Sequence, residues 1–252
     1  MIKIAVNGAA GRMGSRILTL AHEQPNNFEV VQTFDVKKLE SLLPYVKKEK
    51  KLTCDVLIDF SGPDGANWSA AAAHFSKKAV VIGSTGLDEE SVKKIGVIAA
   101  GIPVVLSSNM SIGVNLMLAL VAEAAKKLSD DFTIQITEAH HCHKKDAPSG
   151  TALMLAREIA KAKRWEIKDL LRSWAAGKFD DESAKEKIKM KVIREGEIVG
   201  DHKVLFTGAA ETIEISHRAQ SRDTFARGAL LAAQFVSKKT KGLYGMADVL
   251  KA

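Results

Sequence analysis

The stretch that decides the fold is IKIAVNGAAGRMG, residues 2–14, in which an apolar run leads into three glycines spaced GxxGxxG. Residues 2–6 predict a short buried strand, and the apolar periodicity that follows predicts a helix from about Gly11 to His22. One glycine makes the tight strand-to-helix turn, one lets a ligand approach the backbone, and one lets the helix pack closely on the strand. The pattern is a variant of GxGxxG and predicts the opening strand, turn and helix of a Rossmann-type unit.

Apolar runs and helical patterns alternate from this turn to residue 108. Such alternation is typical of right-handed crossovers in a doubly wound parallel sheet, and runs that are apolar throughout suit strands covered on both faces. The predicted strands after the first one occupy residues 28–34, 54–60, 79–83 and 103–108. The fold class predicted for this part of the chain is therefore α/β.

The pattern changes after a predicted helix over 112–127. A strand over 131–140 and a helix after it are followed by several strands with few helices between them, which predicts a second, α+β domain with a mostly open mixed sheet. The last long helix, which follows Arg222, is expected to return to the first domain. The domain boundaries that we expect are 1–111 with 222–252 for the first domain and 112–221 for the second.

Composition is that of a folded protein, with 46% apolar and 27% charged residues in 252. The formal charge of +7 allows a nucleic-acid binder as one interpretation, but the lysines are scattered in pairs without interleaved aromatic residues. We therefore expect no nucleic-acid partner and interpret the positive field as one that gathers small anions. No apolar run is long enough for a membrane span, and two cysteines, Cys54 and Cys142, favour a cytoplasmic location.

The glycine turn is a candidate site for a pyrophosphate, because a helix N-terminus offers free N–H groups and the positive end of its dipole. Asp35 ends the second predicted strand, where a carboxylate accepts hydrogen bonds from both ribose hydroxyls and favours NADH. Lys37 and Lys38 are close enough in sequence to meet a 2′-phosphate, so NADPH stays open as the alternative. The other interpretations are a turn without a ligand and a solvated aspartate.

Two later strand ends carry small polar residues, GST at 83–85 and SSNM at 107–110. Ligands of open parallel sheets lie beyond the carboxyl ends of the strands, so we expect these residues on the nicotinamide side, although plain turn chemistry explains them as well. The predicted cofactor-binding residues are Gly8, Ala9, Ala10, Gly11, Arg12, Met13, Asp35, Gly83, Ser84, Thr85, Ser107, Ser108, Asn109 and Met110.

The segment EAHHCHKKDAPSGTA, residues 138–152, concentrates titratable side chains between a predicted strand and a predicted helix. Metal ligation by its histidines and Cys142 is one interpretation, but the cluster has no second half elsewhere in the sequence, and we predict no metal. A solvated basic loop is another interpretation. Acid catalysis beside a helix start that binds carboxylate is favoured once a nicotinamide domain precedes the segment.

This segment is very similar to the signature of the dihydrodipicolinate reductase family of lysine and diaminopimelate biosynthesis. The resemblance runs the length of the chain, through VNGAAGRMG, GSTG, SSNMSIGVN, REGEIVGDH, SHRAQSRDTFARGA and GLYGMADVL. Glu195 stands where the family usually has a second glycine, and Asp201 replaces its usual glutamate. The stretch 164–190 lacks the family's common Arg-Gly pattern, which puts loop and oligomer contacts there in doubt.

The resemblance implies reduction of 4-hydroxy-tetrahydrodipicolinate, a dicarboxylate cyclic imine, to tetrahydrodipicolinate with NAD(P)H and loss of water. Hydride is then expected at C4 and a proton at C3. His140 is the expected acid, and Lys144 is either a second proton donor or only a charge partner for a carboxylate. His141 with the amides of Gly150 and Thr151 is expected to bind carboxylate.

The resemblance further implies a homotetramer that forms through the second domain, which would bind substrate while the first binds the dinucleotide. Arg222 is a candidate residue for the interdomain hinge or cleft. Two other functions stay open on the residues alone: another Rossmann oxidoreductase, such as an aspartate or homoserine dehydrogenase, and a non-catalytic NAD-binding regulator. Neither explains HHCHKKDAPSGT as well.

Overall fold

The computed structural model describes residues 1–35, 51–175, 177, 179 and 188–252. In chain order the elements are β1 (Ile2–Asn7), α1 (Arg12–His22), β2 (Phe28–Phe34), β3 (Val56–Asp59), α2 (Pro63–Ser76), β4 (Ala79–Ile82), α3 (Glu89–Ile98), β5 (Pro103–Leu106), α4 (Ile112–Lys127), β6 (Thr133–His140), α5 (Gly150–Lys163), α6 (Lys168–Ala175), β7 (Ile188–Arg194), β8 (Asp201–Thr207), β9 (Thr212–Arg218), α7 (Asp223–Val236), β10 (Gly242–Tyr244) and α8 (Met246–Val249). The chain divides into two compact units, Met1–Ile112 with Arg222–Ala252, and Gly113–Ser221.

The first unit is built on a parallel six-stranded sheet in the order β10-β5-β4-β3-β1-β2. The strands β3 and β4 are buried along their whole length, as expected for a parallel sheet with both faces covered. The order reverses between β1 and β3, which creates a switch point at the carboxyl ends of these two strands. The predicted doubly wound α/β fold is confirmed.

Alternate residues of the same strand supply two separate cores in this unit. Ile4 of β1 points into a core that contains Ile17 of α1 and Ala229 of α7. Its neighbour Ala5 points into the opposite core, which contains Trp68 of α2. Both faces are therefore closed by helices, and all ligand-binding chemistry is left to the strand ends.

The second unit has a mixed sheet in the order β7-β6-β8-β9, with β6 parallel to β7 and the other pairs antiparallel. One face packs on α4 and α5 through residues such as Val121, Ile136 and Leu155. The alternating residues of the other face are half-buried or exposed, as at Thr137 and Lys191. The predicted α+β domain with a mostly open mixed sheet is confirmed.

The structure also contains elements that the sequence patterns do not predict. The strand β10 is only three residues long and joins the edge of the first sheet beside β5. The helix α6 lies in the atypical stretch 164–190, of which residues 176, 178 and 180–187 lie outside the described residues. Within the part of the chain that the structure describes, no helix has the length and apolarity to cross a bilayer.

Candidate active site

The turn after β1 has the geometry of a nucleotide-binding turn. Gly8 has a φ of +80°, and a Cβ there would lie 2.7 Å from the Phe60 carbonyl oxygen. At Gly14 a Cβ would lie 2.1 Å from the Gly8 carbonyl oxygen, so neither position accepts a side chain. No side chain caps α1 at Gly11. The start of α1 thus keeps its backbone N–H groups for an anion, and these residues fit a bound dinucleotide.

Asp35 lies directly beside this turn. Its Oδ2 accepts the Ala10 N–H at 3.0 Å, while the N–H groups of Gly8 and Ala9 donate to the Phe34 carbonyl oxygen. The carboxylate is therefore held at the end of β2, one residue after the strand. Lys37 and Lys38 lie outside the described residues.

The two other predicted cofactor segments follow β4 and β5, and their strand ends lie at the same edge of the sheet as the glycine turn. Ser107 folds back, since its hydroxyl donates to the Asn109 carbonyl oxygen at 2.9 Å. The Met110 side chain is buried in the core between the strands and α7. The remaining predicted residues of this unit are gathered along one edge.

A fully buried carboxylate, Asp59, joins these strand ends and was missed by the sequence analysis. Its oxygens accept from the Asn7 amide at 2.7 Å, the Ser61 hydroxyl at 2.8 Å and the Ser69 hydroxyl at 2.7 Å. The Ser84 hydroxyl donates to it as well, and accepts the Gly62 N–H at 2.9 Å. Asp59 thereby fixes Ser84, a predicted cofactor residue, relative to β1 and β3.

In the second unit the chemical segment lies between β6 and α5. His140 is the last residue of β6 and is largely buried. Ser149 is the N-cap of α5, and its hydroxyl accepts the Ala152 N–H at 3.2 Å. Gly150 and Thr151, the predicted carboxylate binders, are the first two residues of this helix. The structure therefore brings the predicted acid and the predicted anion site to neighbouring element ends.

The centre of this site is Glu138, which is fully buried and received no role in the sequence analysis. Its Oε2 lies 2.5 Å from His140 Nδ1 and accepts from Arg194 Nη1 at 2.9 Å. Its Oε1 accepts from Arg194 Nη2 at 2.8 Å and from the Ser149 N–H at 3.0 Å. Burial alone would raise the pKa of Glu138, but the hydrogen bonds from His140 and Arg194 outweigh it and lower the pKa to about 2.

A second histidine, His202 of β8, packs against the ring of His140. The two ring centroids are 5.2 Å apart with the planes at 75°, and His202 Nε2 lies 3.0 Å from the Ser149 hydroxyl. Burial lowers the pKa of His202 to about 3, and the charge of His140 acts in the same direction. His202 is therefore neutral at physiological pH and serves as a polar support for Ser149.

The loop after β6 holds the other candidates. Lys144 Nζ lies 2.7 Å from Asp146 Oδ1, so Asp146 pairs with a cation. Burial would raise the pKa of Asp146, and the contact with Lys144 outweighs it, leaving that pKa below its usual value. His141 Nδ1 is buried with no hydrogen-bond partner among the described residues, whereas Cys142 and His143 are exposed. Arg222 immediately precedes α7 in the first unit.

The apolar alternation of β6 is a signal in the sequence that points to Glu138. In β6 the buried positions alternate as Ile134, Ile136 and Glu138, so a carboxylate occupies a core position of an amphipathic strand. A carboxylate in such a position requires a cation, which turns out to be Arg194, 56 residues away. That distance is why the partner itself was not predicted.

Family comparison matches the whole chain in two parts. Residues 2–110 match the model described as "Dihydrodipicolinate reductase, N-terminus", and residues 113–250 match "Dihydrodipicolinate reductase, C-terminus". The chain is 42% identical over 264 residues to the 4-hydroxy-tetrahydrodipicolinate reductase of Geobacter metallireducens, covering 99% of both chains. It is also 42% identical over 260 residues to the enzyme of that name from Methanoculleus marisnigri, with 99% of each chain covered.

Among solved structures, the fold is similar to that of a dipicolinate-bound dihydrodipicolinate reductase from Paenisporosarcina, with a TM-score of 0.73 and 22% identity over 98% of this chain and 99% of that one. A probable dehydrogenase from Thermotoga maritima has a TM-score of 0.60 at 11% identity, covering 98% of this chain and 92% of that one. Because dehydrogenases with such low identity share the fold, the fold alone does not select an activity. The two family models and the 42% identical relatives do.

Proposed function

The chain belongs to the dihydrodipicolinate reductase family and is an oxidoreductase of lysine and diaminopimelate biosynthesis, and on that premise we propose how its residues divide the reaction. The substrate is 4-hydroxy-tetrahydrodipicolinate, which is reduced to tetrahydrodipicolinate with loss of water. The observation that carries this proposal is the buried contact of His140 with Glu138, next to the start of α5. It combines a positioned titratable ring with a helix N-terminus suited to carboxylate.

A pyridine nucleotide fits the first unit. The residues that would hold it are the turn Gly8–Met13, where Gly8 leaves no room for a Cβ, with Asp35 and the strand-end segments 83–85 and 107–110. When bound in its reduced form, it supplies the hydride that is added at C4 of the substrate. The protein's own contribution here is binding and orientation, through the uncapped start of α1.

We propose that NADH is preferred, because Asp35 is held beside the turn where ribose hydroxyls are bound in such units. The Asp35→Ala variant is then expected to narrow the ratio of kcat/KM for NADH to that for NADPH. Glu23→Ala is a matched control, since Glu23 is an exposed carboxylate just after α1. A ratio that stays the same in both variants would count against this role of Asp35.

We assign the proton transfers to His140 and Lys144, and carboxylate binding to His141, Gly150 and Thr151. His140 Nε2 is the nitrogen left to exchange a proton, because Nδ1 contacts Glu138. The buried Nδ1 of His141 lacks a hydrogen-bond partner among the described residues, which supports a polar ligand for this side chain. Arg194 and Lys144 add positive charge around a dianionic substrate.

The decisive assay follows the loss of NADH absorbance when the protein meets the cyclic product of pyruvate and aspartate semialdehyde. Turnover is expected for the wild type, with losses of about 10²-fold or more in His140→Ala and Lys144→Ala. Lys144→Arg separates the two roles of Lys144, since it restores turnover if only charge is needed and fails if a proton is transferred. Cofactor binding without turnover in the wild type would indicate a regulator instead.

We also propose a cytoplasmic homotetramer that forms through the second unit. Its support is the uncovered sheet face, where a cavity of about 580 Å³ is bordered by Thr137, Lys191 and Leu205 among others. Light scattering on the purified protein tests it, with Leu205→Asp expected to produce smaller species. A monomeric wild type at assay concentrations overturns the assembly but leaves the chemistry intact.

A further inference from the structure

Glu138 is the point at which three elements of the second unit are joined. It lies on β6, receives both terminal nitrogens of Arg194 from β7, and accepts the backbone N–H of Ser149 at the start of α5. The fourth donor is the ring of His140, two residues along its own strand. With four donors for two oxygens, the buried carboxylate is fully satisfied.

An ionised carboxylate only accepts hydrogen bonds, so the contact at 2.5 Å requires the proton of His140 to be on Nδ1. The other ring nitrogen, Nε2, then faces Gly200, since a Cβ added to Gly200 would lie 3.1 Å from this nitrogen. His202 packs edge-on against the same ring and limits its rotation. The ring is thus fixed in both its tautomer and its direction.

The same carboxylate also fixes the anion site. Ser149 is the N-cap of α5, and its N–H donates to Glu138 while its hydroxyl contacts His202. The amides that follow, those of Gly150 and Thr151, are therefore held at a set distance from the His140 ring. An acid and a carboxylate site that share one anchor keep their spacing during turnover.

Arg194 makes this anchor an anion. Its two terminal nitrogens contact both oxygens of Glu138, and Nη2 also donates to the Asp146 carbonyl oxygen at 2.6 Å. A bidentate guanidinium keeps a buried carboxylate ionised, and an ionised carboxylate stabilises the imidazolium form of its histidine. The charged and titratable groups around the His140–Glu138 contact are Arg194 on β7, His202 on β8, and Lys144 with Asp146 in the loop.

We propose that Glu138, held by Arg194, is a positioning residue that fixes the tautomer and direction of His140 and sets the distance between the acid and the carboxylate site. The proposal rests on the proposed role of His140. Glu138 touches neither substrate nor cofactor, and acts only through His140 and Ser149. It gives the reductase a carboxylate–imidazole pair whose negative member is a fixed part of the sheet.

Glu138→Gln tests the proposal, because a glutamine side chain keeps the shape but places an amide donor near His140 or Arg194. We expect kcat to fall by about 10²-fold, with KM for the substrate changing by less than about fivefold. The pH profile of kcat is expected to change as well, because the ring loses the carboxylate that fixes its tautomer. Glu197→Gln is the matched control, because it removes the same charge from a nearby loop and the Glu197 side chain is 86% exposed.

Nitrogen NMR of the histidine-labelled wild type gives a readout that does not require Glu138→Gln to fold. The ring signals that vanish in His140→Gln identify His140, and they are expected to show a proton on Nδ1 throughout the neutral range. A proton on Nε2 in the neutral ring, or an unchanged pH profile in a folded Glu138→Gln, overturns the inference. Absence of turnover in the wild type would instead refute the proposed function. The failure of this inference and the failure of the proposed function are therefore distinguishable.

Discussion

Two fully buried carboxylates organise the two units, and they are satisfied in different ways. Asp59 in the first unit is surrounded by neutral donors, namely one side-chain amide, three hydroxyls and the backbone N–H of Ser61. Glu138 in the second unit is paired with a guanidinium and an imidazole. Neutral donors hold an anion in place but add no second charge. With charged donors, the charge state of the carboxylate and the charge state of the donor depend on each other.

The difference matches what each unit has to do. Asp59 stands where strand ends must keep a fixed arrangement around a bound nucleotide, and its hydroxyl partners supply geometry. In the proposed reaction Glu138 positions the acid His140, and its partners supply charge as well. A buried carboxylate is therefore informative mainly through the kind of donor it has.

The largest expected effect comes from removing the cation of the charged cluster. Arg194→Met leaves Glu138 buried without its counter-charge, and we expect a loss of about 3–5 kcal/mol in the free energy of unfolding at pH 7. Urea denaturation measures it. A loss below about 1 kcal/mol would mean that the Arg194–Glu138 pair contributes no more to stability than an exposed ion pair.

Acid should weaken the same cluster through His202. Its folded pKa of about 3 is below the ordinary 6.5, so between these values the unfolded chain binds a proton that the folded chain does not. Stability is then lost as pH falls from 6.5 towards 3, at up to about 1.4 kcal/mol per pH unit. Comparing the free energy of unfolding of wild type and His202→Gln between pH 6.5 and 5 isolates the contribution of His202. Glu138 does not contribute in this range, because its effect begins only once the pH falls below about 4.5 towards its folded pKa of about 2. Parallel pH dependences in the two proteins would contradict it.

Removing one neutral donor from Asp59 should cost less. Ser69→Ala deletes a buried hydroxyl that donates to the carboxylate at 2.7 Å and accepts from Asn7 at 3.0 Å. We expect a loss of about 2 kcal/mol in the free energy of unfolding. Ser15→Ala serves as the control, because the Ser15 hydroxyl is exposed on α1. Equal values for the two variants would mean that the cluster adds nothing beyond a surface contact.

The smallest effect is expected at an exposed ion pair of the second sheet. Arg218 Nε lies 2.9 Å from Asp201, but its side chain is 78% exposed. Arg218→Met should change the free energy of unfolding by less than about 1 kcal/mol, because water and salt screen the pair. A change as large as that of Arg194→Met would show that exposure does not explain the contrast.

Features that are encoded in a local pattern of the sequence were predicted correctly. The glycine turn and the alternation of apolar runs through residue 108 predicted the parallel sheet, and the amphipathic strand before His140 predicted β6. The family signature predicted the family, which the comparisons confirm. Periodicity and turn chemistry are properties of short segments, so they survive without the fold.

Contacts between segments that are far apart in the sequence were not predicted. Asn7 and Asp59 are 52 residues apart and lie side by side only because β1 pairs with β3. Arg194 reaches Glu138 only because β7 pairs with β6. The strand β10 is too short to have a periodicity of its own. These features depend on strand order and register, which no segment encodes alone.

Gly228 of α7 has a consequence for how the protein is made. A Cβ there would lie 1.7 Å from the Met110 carbonyl oxygen, and Ala226 and Ala229 of the same helix share a core with Ile4 and Val6. The first unit is therefore closed by a helix that is synthesised after the whole second unit. The continuous second unit, residues 113–221, is able to complete its core before α7 is synthesised, whereas the first unit has to wait for α7.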